Sequence, residues 1–97
     1  MESTRFDLSG QIILIVEDEP MLALNLQLAL EEAGADVVIA RAQHDALARL
    51  GQFAFSVAIV DPMERSLIQE LTRQGLYVVV KPTNRTELLA RLAVFRQ

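Results

Sequence analysis

The 97-residue sequence contains no cysteine, which excludes a disulfide framework and a metal site built from thiolates. No apolar run is long enough to span a bilayer, and the N-terminus lacks the basic and apolar regions of a signal peptide. Basic residues are in the minority, and the formal net charge of −4 argues against a general nucleic-acid binder. We therefore expect a cytoplasmic protein whose partners are neither membranes nor nucleic acids.

The composition is that of a globular domain. Apolar residues make up 52% of the chain and charged residues 23%, which distinguishes the sequence from a disordered tail. The length suits one domain with a modest core, so we predict a single domain over residues 1–97. Within it, residues 1–10 are expected to form a flexible lead-in, because their polar side chains and Gly10 have little to bury.

Three apolar, mostly β-branched runs stop abruptly at charged residues. Because the runs show no polar alternation, they predict strands that are buried on both faces. The runs and the residues that follow them are 12–16 with Glu17 and Asp18, 57–60 with Asp61, and 77–80 with Lys81. The carboxyl ends of parallel strands meet at one edge of a sheet, and open α/β sheets place their sites at that edge. We therefore expect these four charged side chains to lie close together.

Strands and helices are predicted to alternate strictly along the chain. The strands cover about 11–16, 36–40, 56–60 and 76–80, and the helices cover 20–33, 43–50, 64–74 and a segment that starts near Asn84. This alternation predicts a parallel sheet with right-handed crossovers and helices on both faces. Pro20 suits the first position of the first helix, and Gly34 suits a left-handed cap at its end. The predicted inward face of this helix consists of Leu22, Leu26, Ala29, Leu30 and Ala33.

Carboxylates at neighbouring strand ends suit a hard divalent cation, because Mg²⁺ prefers oxygen ligands and keeps several waters. One carboxylate can also attack a phosphoryl group, and a cation then stabilises the phosphoryl oxygens. Glu17, Asp18, Asp61 and Lys81 fit these roles. The turn after the first strand carries carboxylates instead of glycines, which argues against a dinucleotide or P-loop site.

Asp18, Asp61 and Lys81 also have purely structural interpretations. Asp18 and Glu19 could cap the first helix, Asp61 before Pro62 could form a turn, and Lys81 could be a solvated surface lysine. Capping explains a carboxylate near the first helix but not its convergence with Asp61. A carboxylate that ends a fully apolar strand favours the site interpretation for Asp61.

The sequence resembles the receiver domain of bacterial two-component response regulators, the CheY-like family. The resemblance covers nearly the whole chain from Gln11 and is carried by residues 13–20, 57–61 and 79–82. It implies a flavodoxin-like, doubly wound fold in which Asp61 is the phosphoacceptor and Lys81 pairs with the phosphoryl group. The implied magnesium site consists of Glu17, Asp18, Asp61 and the Met63 backbone carbonyl. A cis Lys81–Pro82 peptide is also implied.

The sequence departs from this family in three respects. The family usually has five strands in the order 2-1-3-4-5, but only one helix and one strand lie between Asp61 and Lys81 here. We therefore predict a sheet truncated to four strands in the order 2-1-3-4. No residue can be assigned as the family's switch Ser or Thr, and Tyr77 lies one position further from the lysine than the aromatic switch residue should. Pro62 also removes a backbone N–H beside the acceptor carboxylate.

The resemblance implies a stand-alone response regulator that accepts a phosphoryl group on Asp61 from a sensor histidine kinase or phosphotransfer protein. A downstream protein would read the signal, and any enzymatic activity would be limited to self-phosphorylation and autodephosphorylation of the aspartate. The departures support an alternative, a degenerate receiver that acts as a phosphorylation-independent interaction module. Because the truncation leaves a free sheet edge, homodimerisation through that edge or through the third helix is a further hypothesis.

Overall fold

The structure, a computed structural model, describes residues 6–81 and 84–94. Strands and helices alternate in four strand–helix units. The strands are β1 (Ile12–Val16), β2 (Asp36–Ala40), β3 (Val57–Val60) and β4 (Tyr77–Val80), and the helices are α1 (Pro20–Glu32), α2 (Gln43–Leu50), α3 (Arg65–Arg73) and α4 (Arg85–Val94). All eight predicted elements are present, because the strands and helix ends are encoded by short local signals that the sequence shows clearly.

The four strands form one parallel sheet in the order β2-β1-β3-β4, which confirms the predicted truncated, CheY-like flavodoxin topology. β1 lies at the centre, where Ile13 is in register with Val37 on one side and with Val57 on the other. The chain winds outward from β1 to β2 and then in the opposite direction from β3 to β4. Ligands of open α/β sheets bind at such a reversal, outside the carboxyl ends of the strands.

The sheet has a hydrophobic core on each face. Successive β1 side chains point to opposite faces, so Ile13 and Ile15 join one core while Leu14 and Val16 join the other. Helices α1 and α4 cover the first face, and α2 and α3 cover the second. Burial of one leucine or isoleucine contributes roughly 1.5–3 kcal/mol, which explains why the central strands are apolar throughout.

The inward face of α1 differs from the predicted one at Leu22. The Leu22 side chain is 53% exposed, whereas Ala23, Leu30 and Ala33 are buried. Nearly every position in the first half of α1 is apolar, so the sequence alone leaves the rotational phase of the helix undetermined. The helix is therefore rotated so that Ala23, and not Leu22, lies on its buried side.

The described part of the predicted lead-in, residues 6–10, packs against the domain. Leu8 is fully buried in the core and its N–H donates to the carbonyl of Ala33 at 2.7 Å. The prediction that this segment has little to bury is therefore wrong for Leu8. Gly34 adopts φ 104°, and a Cβ at this position would lie 2.9 Å from Ser9 Oγ, so the close approach of the two segments requires glycine.

Two further predictions lie outside the described residues. These are the flexibility of residues 1–5 and the cis Lys81–Pro82 peptide. The predicted start of the last helix is described, and there Asn84 Oδ1 accepts the Glu87 N–H at 2.7 Å as a capping residue does. Among the helices that the structure describes, none has the length and apolar character needed to cross a membrane.

Candidate functional site at the carboxyl edge of the sheet

A cavity of about 450 Å³ opens at the carboxyl edge of the sheet, beside the reversal between β1 and β3. All five residues predicted to form the site line this cavity. Its described lining consists of Val16, Glu17, Asp18, Arg41, Ala42, Gln43, Asp61, Met63, Glu64 and Lys81. The topology therefore brings together residues that are separated by more than sixty positions in the sequence, such as Glu17 and Lys81.

Glu17 is the first residue after β1, and its environment is largely closed. Its N–H donates to the Ala40 carbonyl at 2.9 Å, which continues the pairing of β1 with β2. Its side chain is only 9% exposed. One carboxylate oxygen accepts a hydrogen bond from Lys81 Nζ in an ion pair, and the other accepts the Glu19 N–H at 3.0 Å. Both oxygens are therefore satisfied within the protein.

The ion pair with Lys81 controls the ionisation of Glu17. Burial raises the pKa of the Glu17 carboxyl, but the hydrogen bond and charge of Lys81, with the Glu19 N–H, oppose burial. The net result is a pKa below the ordinary value of 4.5. Glu17 is therefore held as a carboxylate at neutral pH.

Lys81 reaches across the sheet from the end of β4 to the end of β1. Its N–H donates to the Val60 carbonyl at 2.9 Å, and its Nζ donates to the Val16 carbonyl at 3.0 Å as well as to Glu17. The side chain is 17% exposed, so the alternative of a solvated surface lysine is wrong. Among the described ion pairs, Lys81 contacts Glu17 and not Asp61.

Asp61 is exposed at the end of β3, in contrast to Glu17. Its Oδ1 accepts the Met63 N–H at 2.8 Å, and its carbonyl accepts the Glu64 N–H at 3.0 Å. Asp61 therefore does form the turn that the structural interpretation predicted, with Pro62 at the corner. Its Oδ2 accepts no hydrogen bond from the described residues, so one carboxylate oxygen remains available in the cavity.

The carboxylates that follow β1 have separate roles. Glu19 is the N-cap of α1, where its Oε1 accepts the Leu22 N–H at 2.9 Å. Asp18 is exposed and lines the cavity. Helix capping therefore accounts for Glu19 and leaves Asp18 for the site.

The charge of the cavity suits a divalent cation, although the carboxylates are not clustered as ligands. Four carboxylates and two cationic side chains line the cavity, which gives it a formal excess of two negative charges. Among the residues that the structure describes, no three acidic or histidine side chains are grouped closely enough to hold a metal ion, since Glu17 is turned toward Lys81. Mg²⁺ usually needs only one or two carboxylates together with waters and phosphate oxygens, and Asp18 and Asp61 can supply two.

Arg41, Gln43 and Glu64 line the cavity but were not predicted from the sequence. For Arg41 the signal was present, because it is the first residue after β2, as Glu17, Asp61 and Lys81 are after their strands. Gln43 and Glu64 lie at helix starts, where polar residues are common, so no signal marks them as site residues.

Comparisons of the fold with solved structures identify its class. A sensor protein from Polaromonas sp. JS666 superposes with a TM-score of 0.75 at 26% identity, over 86% of this chain and 93% of that one. A response regulator from Thermotoga maritima superposes with a TM-score of 0.72 at 18% identity, over 84% and 93% of the two chains. The receiver domain of the Francisella response regulator 1452 gives a TM-score of 0.71 at 20% identity, over 86% and 93%.

In sequence, no family model and no curated protein matches this chain. The solved neighbours, the strand order and the position of the cavity agree, and the chain has the fold of CheY-like receiver domains of response regulators.

Proposed function

We propose that this domain accepts a phosphoryl group on Asp61 from a histidine kinase or a phosphotransfer protein, in two-component signalling. The observation that supports this proposal is the convergence of Asp61, Asp18, Glu17 and Lys81 on one cavity at the carboxyl edge of a receiver fold. A downstream protein would then read the phosphorylated state.

The chemistry follows from the two oxygens of Asp61. Oδ1 is held by the Met63 N–H, and Oδ2 attacks phosphorus, so an O–P bond forms while the N–P bond of the donor phosphohistidine breaks. The bonding electron pair returns to the imidazole, which leaves. Lys81 Nζ has three N–H donors and uses two of them on Val16 and Glu17, so the third remains for a phosphoryl oxygen.

A magnesium ion belongs to the same proposal. Asp18, Asp61 and the Met63 carbonyl would hold it, and Glu17 would complete the acidic pair of the site. The ion would supply positive charge for the phosphoryl oxygens when bound. The formal excess of two negative charges in the cavity supports a divalent cation as the counter-charge.

Beryllofluoride, a stable mimic of an acyl phosphate, tests the proposal. We expect beryllofluoride with Mg²⁺ to raise the melting temperature of the protein and to leave Asp61→Asn unchanged, because the mimic bonds to the carboxylate. Asp61→Asn should fold normally, since the side chain is exposed and an amide oxygen can still accept the Met63 N–H. An equal shift in both proteins, or none in either, would contradict phosphoacceptor function.

The absence of a response would favour the alternative, a phosphorylation-independent interaction module. Two observations support this alternative: Pro62 offers no N–H to a phosphoryl oxygen, and the Met63 N–H is already used by Asp61. An exposed apolar side chain also lines the cavity, Met63 at 85% exposure. Such a side chain suits contact with a protein partner in either case.

The proposal also includes homodimerisation through the edge of β4. The N–H groups of Tyr77 and Lys81 donate to β3, so those of Val78 and Val80 point away from the sheet. Val80 is also 41% exposed, and β4 carries no charged residue to discourage pairing. Sedimentation over a range of concentrations tests this, and a monomer at every concentration would exclude it.

A further inference from the structure

Arg41 is the second cationic side chain of the cavity. It follows β2 directly, and it lines the cavity together with Asp18, Asp61 and Lys81. Its backbone is fixed because its N–H donates to Asp45 Oδ2 at 3.3 Å, across the start of α2. The position of Arg41 at the mouth of the cavity is therefore set by both the sheet and the following helix.

The guanidinium of Arg41 is not neutralised by a neighbour. None of the ion pairs among the described residues includes Arg41. The nearest acid on α2, Asp45, pairs through Oδ1 with Arg49 Nε at 3.3 Å and uses Oδ2 for the Arg41 backbone. Arg41 therefore brings a positive charge that forms no ion pair among the described residues to a cavity whose other charged side chains are four carboxylates and Lys81.

Besides Arg41 and Lys81, the one side-chain donor in the described lining of the cavity is the amide of Gln43. No serine, threonine or tyrosine belongs to its described lining, so no hydroxyl group is available there. Pro62 has no N–H, the Met63 N–H is bonded to Asp61, and Lys81 has one remaining donor. A phosphoryl group has three peripheral oxygens. The one remaining Lys81 donor cannot bind all three, so further protein donors are needed beside any metal ion. The guanidinium supplies five N–H groups in a planar fork that matches phosphate geometry.

We propose that Arg41 binds the phosphoryl group on Asp61 and stabilises the phosphorylated state. The inference rests on the proposed phosphoacceptor function and adds a residue that binds the transferred group. Arg41 acts from the end of β2, on the side of the cavity opposite Lys81 in the strand order. The phosphoryl oxygens would then be held between two cations from the two edge strands.

Titration with beryllofluoride at constant Mg²⁺ tests the role of Arg41. Loss of one charge-assisted interaction should weaken beryllofluoride binding about tenfold or more in Arg41→Gln. The affinity of Arg41→Lys for beryllofluoride should lie between those of Arg41→Gln and the unsubstituted protein, because lysine keeps the charge but loses the planar set of guanidinium donors. Arg91→Gln removes the same charge from the exposed surface of α4 and should bind as the unsubstituted protein does.

The outcomes separate the two proposals. Equal affinity of Arg41→Gln and the unsubstituted protein would overturn the role of Arg41 and leave Asp61 as the acceptor. Failure of the unsubstituted protein to bind, or binding that persists in Asp61→Asn, would overturn the phosphoacceptor function and the role of Arg41 with it. Melting of each variant without ligand shows whether it is folded, and Arg41→Gln should match the unsubstituted protein because Arg41 is exposed.

Discussion

Glu17 and Asp61 follow neighbouring parallel strands and line one cavity, but their environments differ. Glu17 is almost covered, and both of its oxygens are occupied, by Lys81 and by the Glu19 N–H. Asp61 is exposed, and only one of its oxygens accepts a hydrogen bond from the described residues. The same chemical group is therefore covered and fully hydrogen-bonded at one strand end, and exposed with one available oxygen at the next.

The largest effect on stability is expected when Lys81 is removed. Lys81→Met leaves the covered carboxylate of Glu17 without its cation, which should lower the free energy of unfolding by about 2–3 kcal/mol. Asp61→Asn should change it by less than about 0.5 kcal/mol, because Asp61 is exposed. Urea unfolding measures both. If Lys81→Met lowered the free energy of unfolding as little as Asp61→Asn does, the ion pair of Glu17 would not contribute measurably to stability.

A double variant sharpens this comparison. In Glu17→Gln/Lys81→Met the unpaired charge is gone, so the loss of stability should be smaller than the sum of the two single losses. Additive losses would show that the residues contribute independently, which would contradict a coupled pair.

A smaller effect on stability is expected when the Glu17 carboxylate is protonated at low pH. Because the pKa of folded Glu17 lies below its ordinary value of 4.5, its contribution to stability is complete above about that pH and is lost as the pH falls through the lower folded pKa. Glu17→Gln should therefore lose less stability on acidification than the unsubstituted protein does. Urea unfolding at neutral pH and well below pH 4.5 provides the measurement.

Glu70 provides the control for the pH experiment. Its pKa is also lowered, chiefly by its hydrogen bond with Arg73, but the pair lies on the exposed surface of α3. Glu70→Gln should change the pH dependence less than Glu17→Gln, because solvent screens the exposed pair. The reverse order would show that the covered pair is not the dominant acid-sensitive interaction of the two.

The smallest effect is expected on beryllofluoride binding, when Pro62 beside Asp61 is replaced. Pro62→Ala restores one backbone N–H next to the proposed acceptor, and one added hydrogen bond should strengthen beryllofluoride binding about threefold. Titration as described for Arg41 measures the change. Unchanged or weaker binding would show that this N–H does not reach the phosphoryl group, and Asp61→Asn/Pro62→Ala should show no binding.

Much of the fold could be predicted because its signals are local. Each strand is an apolar run that ends at a charged residue, and α1 and α3 are followed by Gly34 and Gly75 with φ 104° and 92°. The phase of α1 could not be predicted, because apolar residues occupy several of its faces and only packing distinguishes Leu22 from Ala23. Leu8 was missed because one leucine in a polar segment shows no periodicity.

The candidate site could be predicted as a location but not as a set of contacts. Parallel topology places all strand ends at one edge, which is why Glu17, Asp18, Asp61 and Lys81 meet. Which carboxylate Lys81 selects depends on side-chain reach and burial, and the sequence carries no signal for either. Arg41 could have been found by applying the strand-end rule to β2 as well.

Leu8 has a practical consequence for anyone who shortens or fuses this domain. A boundary drawn at the first strand would look natural in the sequence, yet it would remove a side chain with no exposed surface and open a void beneath α1 and α4. It would also delete the amide that caps the Ala33 carbonyl. Tags and linkers therefore belong upstream of Phe6, where the residues that seal this end of the core stay in place.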